Sequence, residues 1–207
     1  MDLQFYGANC VTLSYKGQRV VIDDNLAELG AKSIVKADDV ALFTSRHDAT
    51  TPARLMLDSP GEYEVGDISI IGLAARAHVD EQGSKHATLF KLVAGELSVL
   101  VTGHIYPELS EGELEDINSV DILVVPVGGN GYTIDPVGTL KLIKDIEPKL
   151  VIPTHFADKA LKFPVPQQEL ENALKELGME PKETVAKLRV KPAELTDVTQ
   201  LVILEKS

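Results

Sequence analysis

The chain has 207 residues, 44% hydrophobic and 25% charged, with a net charge of −12 at neutral pH. That length suits one large domain with a sizeable core, and the composition is that of a soluble globular protein. The acidic balance repels polyanions, which sets nucleic acid and anionic membranes aside as expected partners. No apolar run approaches the roughly 20 residues that span a bilayer. The opening, Met-Asp-Leu-Gln-Phe-Tyr, lacks the basic and apolar regions of a signal peptide, so the expected compartment is the cytoplasm. Cys10 is the only cysteine; an internal disulfide and a cysteine-built zinc knuckle are excluded, and beside Val11 it reads as a small buried hydrophobe.

Leu3-Phe5 and Val11-Leu13-Tyr15 alternate apolar with polar and predict half-buried strands, with a third strand at Arg19–Asp23 after a turn at Lys16–Gln18. Asn25–Val35 reads as a short helix or a loop. Val40–Phe43 is a continuous apolar run, hence a buried strand, and it delivers the polar stretch Thr44–Thr50 at its carboxyl end. Thr51-Pro52 suits a helix start. Turn signals flank a short strand within Asp58–Asp67, and Ile68–Leu73 is the next strand, leading to Ala77-His78-Val79-Asp80. Glu81–Lys85 is a polar loop, with Asp80 and His86 expected to be solvated.

Ala87–Leu92 and Leu97–Val101 form a hairpin that ends in Thr102-Gly103-His104. An acidic helix at Leu109–Ile117 and a buried strand at Asp121–Pro126 follow, then a Gly-rich loop, Val127–Pro136. That loop has no lysine to make a phosphate cradle of the P-loop kind. Val137, Leu140, Leu142, Ile143 and Ile146 have helical spacing after Pro136. Leu150–Phe156 is a strand ending in His155, Pro166–Leu177 a last helix closed by Gly178, and Val198–Leu204 a last strand. No linker or repeat divides residues 1–207, which read as one domain.

The stretch Thr44–Thr50, Thr-Ser-Arg-His-Asp-Ala-Thr, resembles the metallo-β-lactamase superfamily signature Thr-His-x-His-x-Asp-His. Ser45 stands at the first His, His47 at the second, Ala49 at the Asp and Thr50 at the last His. Phe-Tyr-Gly-Ala-Asn-Cys-Val followed by Val-Val-Ile-Asp resembles the superfamily's first hairpin. In the lactonase-like branch of metal-dependent hydrolases, Ala8 would be a His and Asp24 a Pro. Pro-Gly-Glu-Tyr-Glu-Val-Gly at 60–66, the Gly-rich loop with Tyr132-Thr133-Ile134-Asp135, and Ile152-Pro153-Thr154-His155 are similar to the same branch. The resemblance implies an α/β fold, the four-layer αββα sandwich, with Asp23 orienting the metal-binding loop.

In such hydrolases two cations share a bridging hydroxide that attacks an ester, lactam or phosphoester. Carried over by position, the resemblance keeps His47, His78 and His155, loses ligands at Ser45, Ala49 and Thr50, and puts His104 where the bridging Asp would stand. Serine and threonine hydroxyls are poor zinc ligands, so at most one ion is expected. Three readings stay open. The first is a degraded site, without cofactor, that binds a small ligand or a protein in the inherited cleft. The second is a mononuclear hydrolase with zinc or another divalent metal on His47, His78 and His104, and Asp48 or His155 as proton acceptor. The third is a structural subunit of an assembly. Arg46 and Asp48, at spacer positions, read as surface residues, and Tyr132 and Thr133 as candidates for the pocket mouth.

Overall fold

A computed structural model describes residues 1–207. Strands β1 (Asp2–Gly7), β2 (Cys10–Tyr15), β3 (Gln18–Ile22), β4 (Val40–Leu42), β5 (Leu55–Leu57) and β13 (Leu188–Arg189) form one sheet, ordered β13-β1-β2-β3-β4-β5. The second sheet contains β6 (Gly61–Val65), β7 (Ile68–Ala75), β8 (Ala87–Ala94), β9 (Leu97–Val101), β10 (Ile122–Pro126), β11 (Leu150–Thr154), β12 (Pro181–Val185) and β14 (Gln200–Leu204). Its order is β12-β14-β11-β10-β9-β8-β7-β6, parallel from β12 to β9 and antiparallel from β9 to β6.

The two sheets face each other across one apolar layer. Leu3, Phe5, Leu13, Ile22 and Leu42 of the first sheet meet Ile68, Ile70, Phe90, Val99, Val124 and Ile152 of the second. Alternation explains this, because neighbouring residues on a strand point to opposite faces. The other face of the second sheet, with Leu89, Leu100, Leu123 and Val151, packs under α1 (Glu111–Ile117), α2 (Pro136–Ile146) and α3 (Leu170–Leu177) through Ile117, Leu142, Ile143, Ala173 and Leu177. The outer face of the first sheet carries no helix. Cys10 and Val21 are covered there by Leu26, Leu29 and Leu161 from turns. The two facing sheets are those of the α/β sandwich the sequence implied, with helices on one outer face and turns in place of the helical layer expected on the other; Cys10 is fully buried beneath those turns.

Several local expectations are corrected. No helix starts at Thr51-Pro52; the segment is irregular, with bends at Ala53 and Arg54, and leads into the edge strand β5. The last helix begins at Leu170 rather than Pro166, because the backbone at Gln168 is held by neighbouring loops. Its N–H donates to the Gly128 carbonyl and its carbonyl accepts from Ala157. Strands β12 and β13 lie where no strand was expected. Asp80 is not a solvated loop residue: its carboxylate accepts from the N–H groups of Ala77 and His86 and contacts His86 Nδ1, fixing the turn. No helix is long and apolar enough to cross a membrane.

The carboxyl ends of β1, β3, β4, β7, β9 and β11 lie along one edge of the sandwich, since β1 and β3 flank antiparallel β2 and β7 runs parallel to β9. Asp23, Thr44, His78, His104 and His155 follow those ends.

Candidate functional site

Asp23 follows β3 in a left-handed conformation, φ 51°. Its carboxylate is buried and accepts the Thr44 N–H at 2.7 Å and the Thr44 hydroxyl at 2.7 Å. Burial raises its pKa to about 6, against the pull of the two Thr44 bonds. The start of the 44–50 loop is therefore fastened at both backbone and side chain. The loop is also hooked to the second sheet, where Thr88 N–H donates to the Thr44 carbonyl at 2.8 Å.

Beyond Thr44 the loop opens to solvent. Ser45, Ala49 and Thr50 are exposed, and Arg46 pairs with Asp48 at 3.0 Å, both well exposed. His47 lies flat on Phe43, ring centroids 3.6 Å apart and planes 1° apart, and its N–H donates to Asp58.

The other imidazoles come from the second sheet. His104 and His155 meet edge to face with centroids 4.6 Å apart. His155 has φ 54°, and its N–H donates to the Ala8 carbonyl at 2.7 Å, tying the end of β11 to the β1–β2 turn. Gln167 Nε2 donates to the Val165 carbonyl, which leaves Gln167 Oε1 to accept from His155 Nδ1 at 3.1 Å. The Tyr132 carbonyl lies 3.4 Å from His104 Nδ1 and can only accept. Each ring thus carries its proton on Nδ1 and presents a bare Nε2. Burial lowers His104 to about 4, and burial together with the nearby His104 lowers His155 to about 3, so both are neutral at pH 7. His78 is placed beside them by its N–H bond to the His104 carbonyl at 2.7 Å, and its own Nδ1 is buried without a partner.

A small cavity of about 60 Å³ is walled by His104, His155, Tyr132, Asp23 and Asn9. Tyr132 is half-buried, whereas Thr133 is fully enclosed, its hydroxyl unpaired. His47 lines a different cavity, of about 120 Å³, with Asp24 and Thr50. Asn25 and Glu28 line both, so the two adjoin. The structure therefore groups His104 with His155, sets His78 alongside, and leaves His47 in the neighbouring chamber. Gln167 belongs to the site although nothing in its sequence context marked it, and Asn9 lines it from within the hairpin the resemblance covers without having been singled out as a site residue.

Residues 2–155 match the family described as the beta-lactamase superfamily domain. The chain belongs to the beta-lactamase superfamily. A metal-dependent hydrolase of Carboxydothermus hydrogenoformans is 46% identical over 43 residues, 21% of this chain and 19% of that relative. The aligned stretch thus spans about a fifth of the curated relative. Among solved structures, a protein of Thermotoga maritima assigned to the zinc-dependent hydrolases of the metallo-beta-lactamase superfamily superposes with a TM-score of 0.74 at 23% identity, over 99% of this chain and 98% of that one. Igni18, a metallo hydrolase of Ignicoccus hospitalis, gives 0.61 at 14% identity, over 99% and 95%. YhfI of Bacillus subtilis, a metallo-beta-lactamase fold protein, gives 0.61 at 11%, over 100% and 97%. These structural likenesses show the fold.

Membership of a superfamily that includes metal-dependent hydrolases makes a divalent cation the group to test against the residues present. A two-metal centre does not fit them. Within the loop, Ser45, Ala49 and Thr50 offer neither imidazole nor carboxylate, and no three His, Cys, Asp or Glu side chains of the molecule converge to hold an ion. The unpaired His78 Nδ1 and the bare Nε2 atoms of His104 and His155 are the free imidazole nitrogens that follow the strand ends of the second sheet.

Proposed function

We propose that this superfamily member has lost two-metal hydrolysis and uses the inherited cleft to bind a small ligand or a protein segment. The observation that carries this reading is the state of the 44–50 loop. Its one imidazole, His47, is stacked on Phe43, and the other ligand positions hold Ser45, Ala49 and Thr50. A loop that feeds neither ion leaves no bridging hydroxide to attack a substrate. What remains is a polar, partly enclosed wall of neutral imidazoles, a tyrosine and amides. The lone buried Cys10 and the acidic charge fit a cytoplasmic protein whose partner is not nucleic acid or membrane.

A second reading, a mononuclear hydrolase, draws support from the orphaned His78 Nδ1 beside His104. In it His47 would have to leave Phe43 to complete a shell with His78 and His104. His155, or Asp48 released from Arg46, would then accept the proton. Metal content of untagged protein after dialysis separates the two. Binding without metal predicts content near zero and a melting temperature unmoved by chelator. Retention of about one equivalent of zinc, lost in His104→Ala and kept in His86→Ala, selects the mononuclear enzyme instead.

A further inference from the structure

Asn118 closes α1 in a backbone conformation that side chains rarely adopt, φ 53° and ψ −156°. Glycine alone enters that part of backbone space freely, so something must hold the asparagine there. Two anchors do. Its own N–H donates to the Leu114 carbonyl, and the Ser119 carbonyl beyond it accepts from the Ser98 hydroxyl on β9 at 3.4 Å. Between these anchors the Asn118 side chain curls back on the main chain, where its Oδ1 accepts the Ser119 N–H at 2.7 Å. A carbonyl bond is about 1.2 Å long, so the Ser119 nitrogen lies no more than roughly 4 Å from Asn118 Cγ. Both residues are exposed to water.

Those two atoms are the ones that join when an asparagine cyclises on its own main chain. Ser119 N attacks Cγ and gives its proton to solvent hydroxide. Nδ2 takes a proton from water and leaves as ammonia, and a five-membered imide remains. Water then adds to either imide carbonyl and opens the ring to aspartate or isoaspartate. A fold that keeps nitrogen and carbon together replaces a search over free rotations with a fixed approach.

The four other asparagines are not so placed. Asn130 precedes Gly131, the least hindered neighbour this reaction can have, yet its Nδ2 is drawn away to the Pro166 carbonyl. Asn9 is buried with its Oδ1 on the Thr154 hydroxyl, Asn25 precedes the bulky, buried Leu26, and Asn172 lies within α3.

We propose that Asn118 is a site of spontaneous, fold-assisted deamidation, at which Ser119 N closes on the Asn118 carboxamide and the joint converts to an aspartyl or isoaspartyl linkage. The isoaspartyl product lengthens the main chain by one carbon next to Ile117, the residue through which α1 packs on the second sheet.

The full chain is incubated in mildly alkaline buffer, folded in one arm and in guanidinium chloride in the other. Each asparagine is followed by peptide mapping with mass spectrometry and by enzymatic methylation of isoaspartate. In the folded chain Asn118 is expected to convert several-fold faster than Asn130, and faster than Asn118 itself does in the unfolded chain. Unfolding should invert the order, because Gly131 then leaves Asn130 unhindered. Asn118→Gly removes the carboxamide and suits the backbone, so it should remove most of the isoaspartate of the folded chain and raise the melting temperature. Four results would each overturn the proposal: Asn130 converting before Asn118 in the folded chain, Asn118 converting more slowly folded than unfolded, an isoaspartate signal that survives in Asn118→Gly, or a melting temperature that this variant lowers.

Discussion

Thr44 gives both its backbone N–H and its hydroxyl to the carboxylate of Asp23, each at 2.7 Å, and so locks the end of β4 to the end of β3. Replacing Thr44 by Val keeps the shape and removes one donor from a buried, acid-raised carboxylate. The expected loss is about 1–3 kcal/mol in chemical denaturation. Thr44→Ser, which keeps the hydroxyl, should lose less. Equal losses would show that the bond itself contributes nothing.

The same carboxylate sets part of the pH profile. Its folded pKa, about 6, lies above the ordinary 3.8, so the folded state holds a proton that the unfolded state has released between those values. The stability it contributes is full below about 3.8 and is lost as pH rises through about 6. His104 and His155 act in the opposite sense. Lowered from 6.5 to about 4 and about 3, they stabilise fully above 6.5 and lose that contribution as pH falls through their folded values. Between pH 6 and 4 the effects offset one another. Asp23→Asn, tolerated at φ 51°, removes the compensating carboxyl and should make the acid decline of melting temperature steeper. An unchanged slope would refute the assignment.

Gly103, directly before His104, has φ 58°, and a Cβ there would collide with the Thr44 side chain. Gly103→Ala combines left-handed strain with a clash against the Asp23–Thr44 lock, and a loss of about 3 kcal/mol or more is expected in urea unfolding. A near-neutral result would mean that Thr44 moves aside freely.

His155 also occupies a left-handed position, which Asn tolerates and a β-branched residue does not. His155→Val should therefore be less stable than His155→Asn by about 1–2 kcal/mol, read as the difference between their denaturation midpoints. The opposite order would show that lost packing outweighs backbone strain.

The basic run Lys187, Arg189, Lys191 is paired in place, the first two with the single carboxylate of Asp2 and the third with Glu194, which leaves one net positive charge. Fluorescence anisotropy with DNA or RNA is expected to show no association at physiological salt. Micromolar binding that weakens steeply with salt would contradict this.

The parts of the fold legible in sequence are those where burial leaves its mark on composition. Val40–Phe43, Ile122–Pro126 and residues 150–153 are continuous apolar runs, and Leu97–Val101 is interrupted only by Ser98, because these strands are covered on both faces. Strand β12, Pro-Lys-Glu-Thr-Val, is an exposed edge whose partner is set by backbone bonds to β14, so no pattern announced it. The Thr51-Pro52 helix signal failed because tertiary pairing of Leu55–Leu57 with β4 outweighed a local preference. At the site, the ends of β9 and β11 placed His104 and His155 where the resemblance put them in the chain. Their hydrogen-bonded partners, Tyr132 O and Gln167, come from distant loops, and the stacking of His47 on Phe43 is a side-chain choice that no spacing encodes.

The bond from His155 N–H to the Ala8 carbonyl joins residues 147 positions apart, and with it the two halves of the cleft. Such a contact closes only after nearly the whole chain has been drawn in, and contacts of long sequence separation are the slow ones in folding. The cleft should accordingly be among the last parts of the molecule to mature. A refolding experiment would see amide protection in the β7–β8–β9 hairpins well before the Ala8–His155 junction becomes protected. During that interval the protein would have its sheets but nothing yet to hold a ligand.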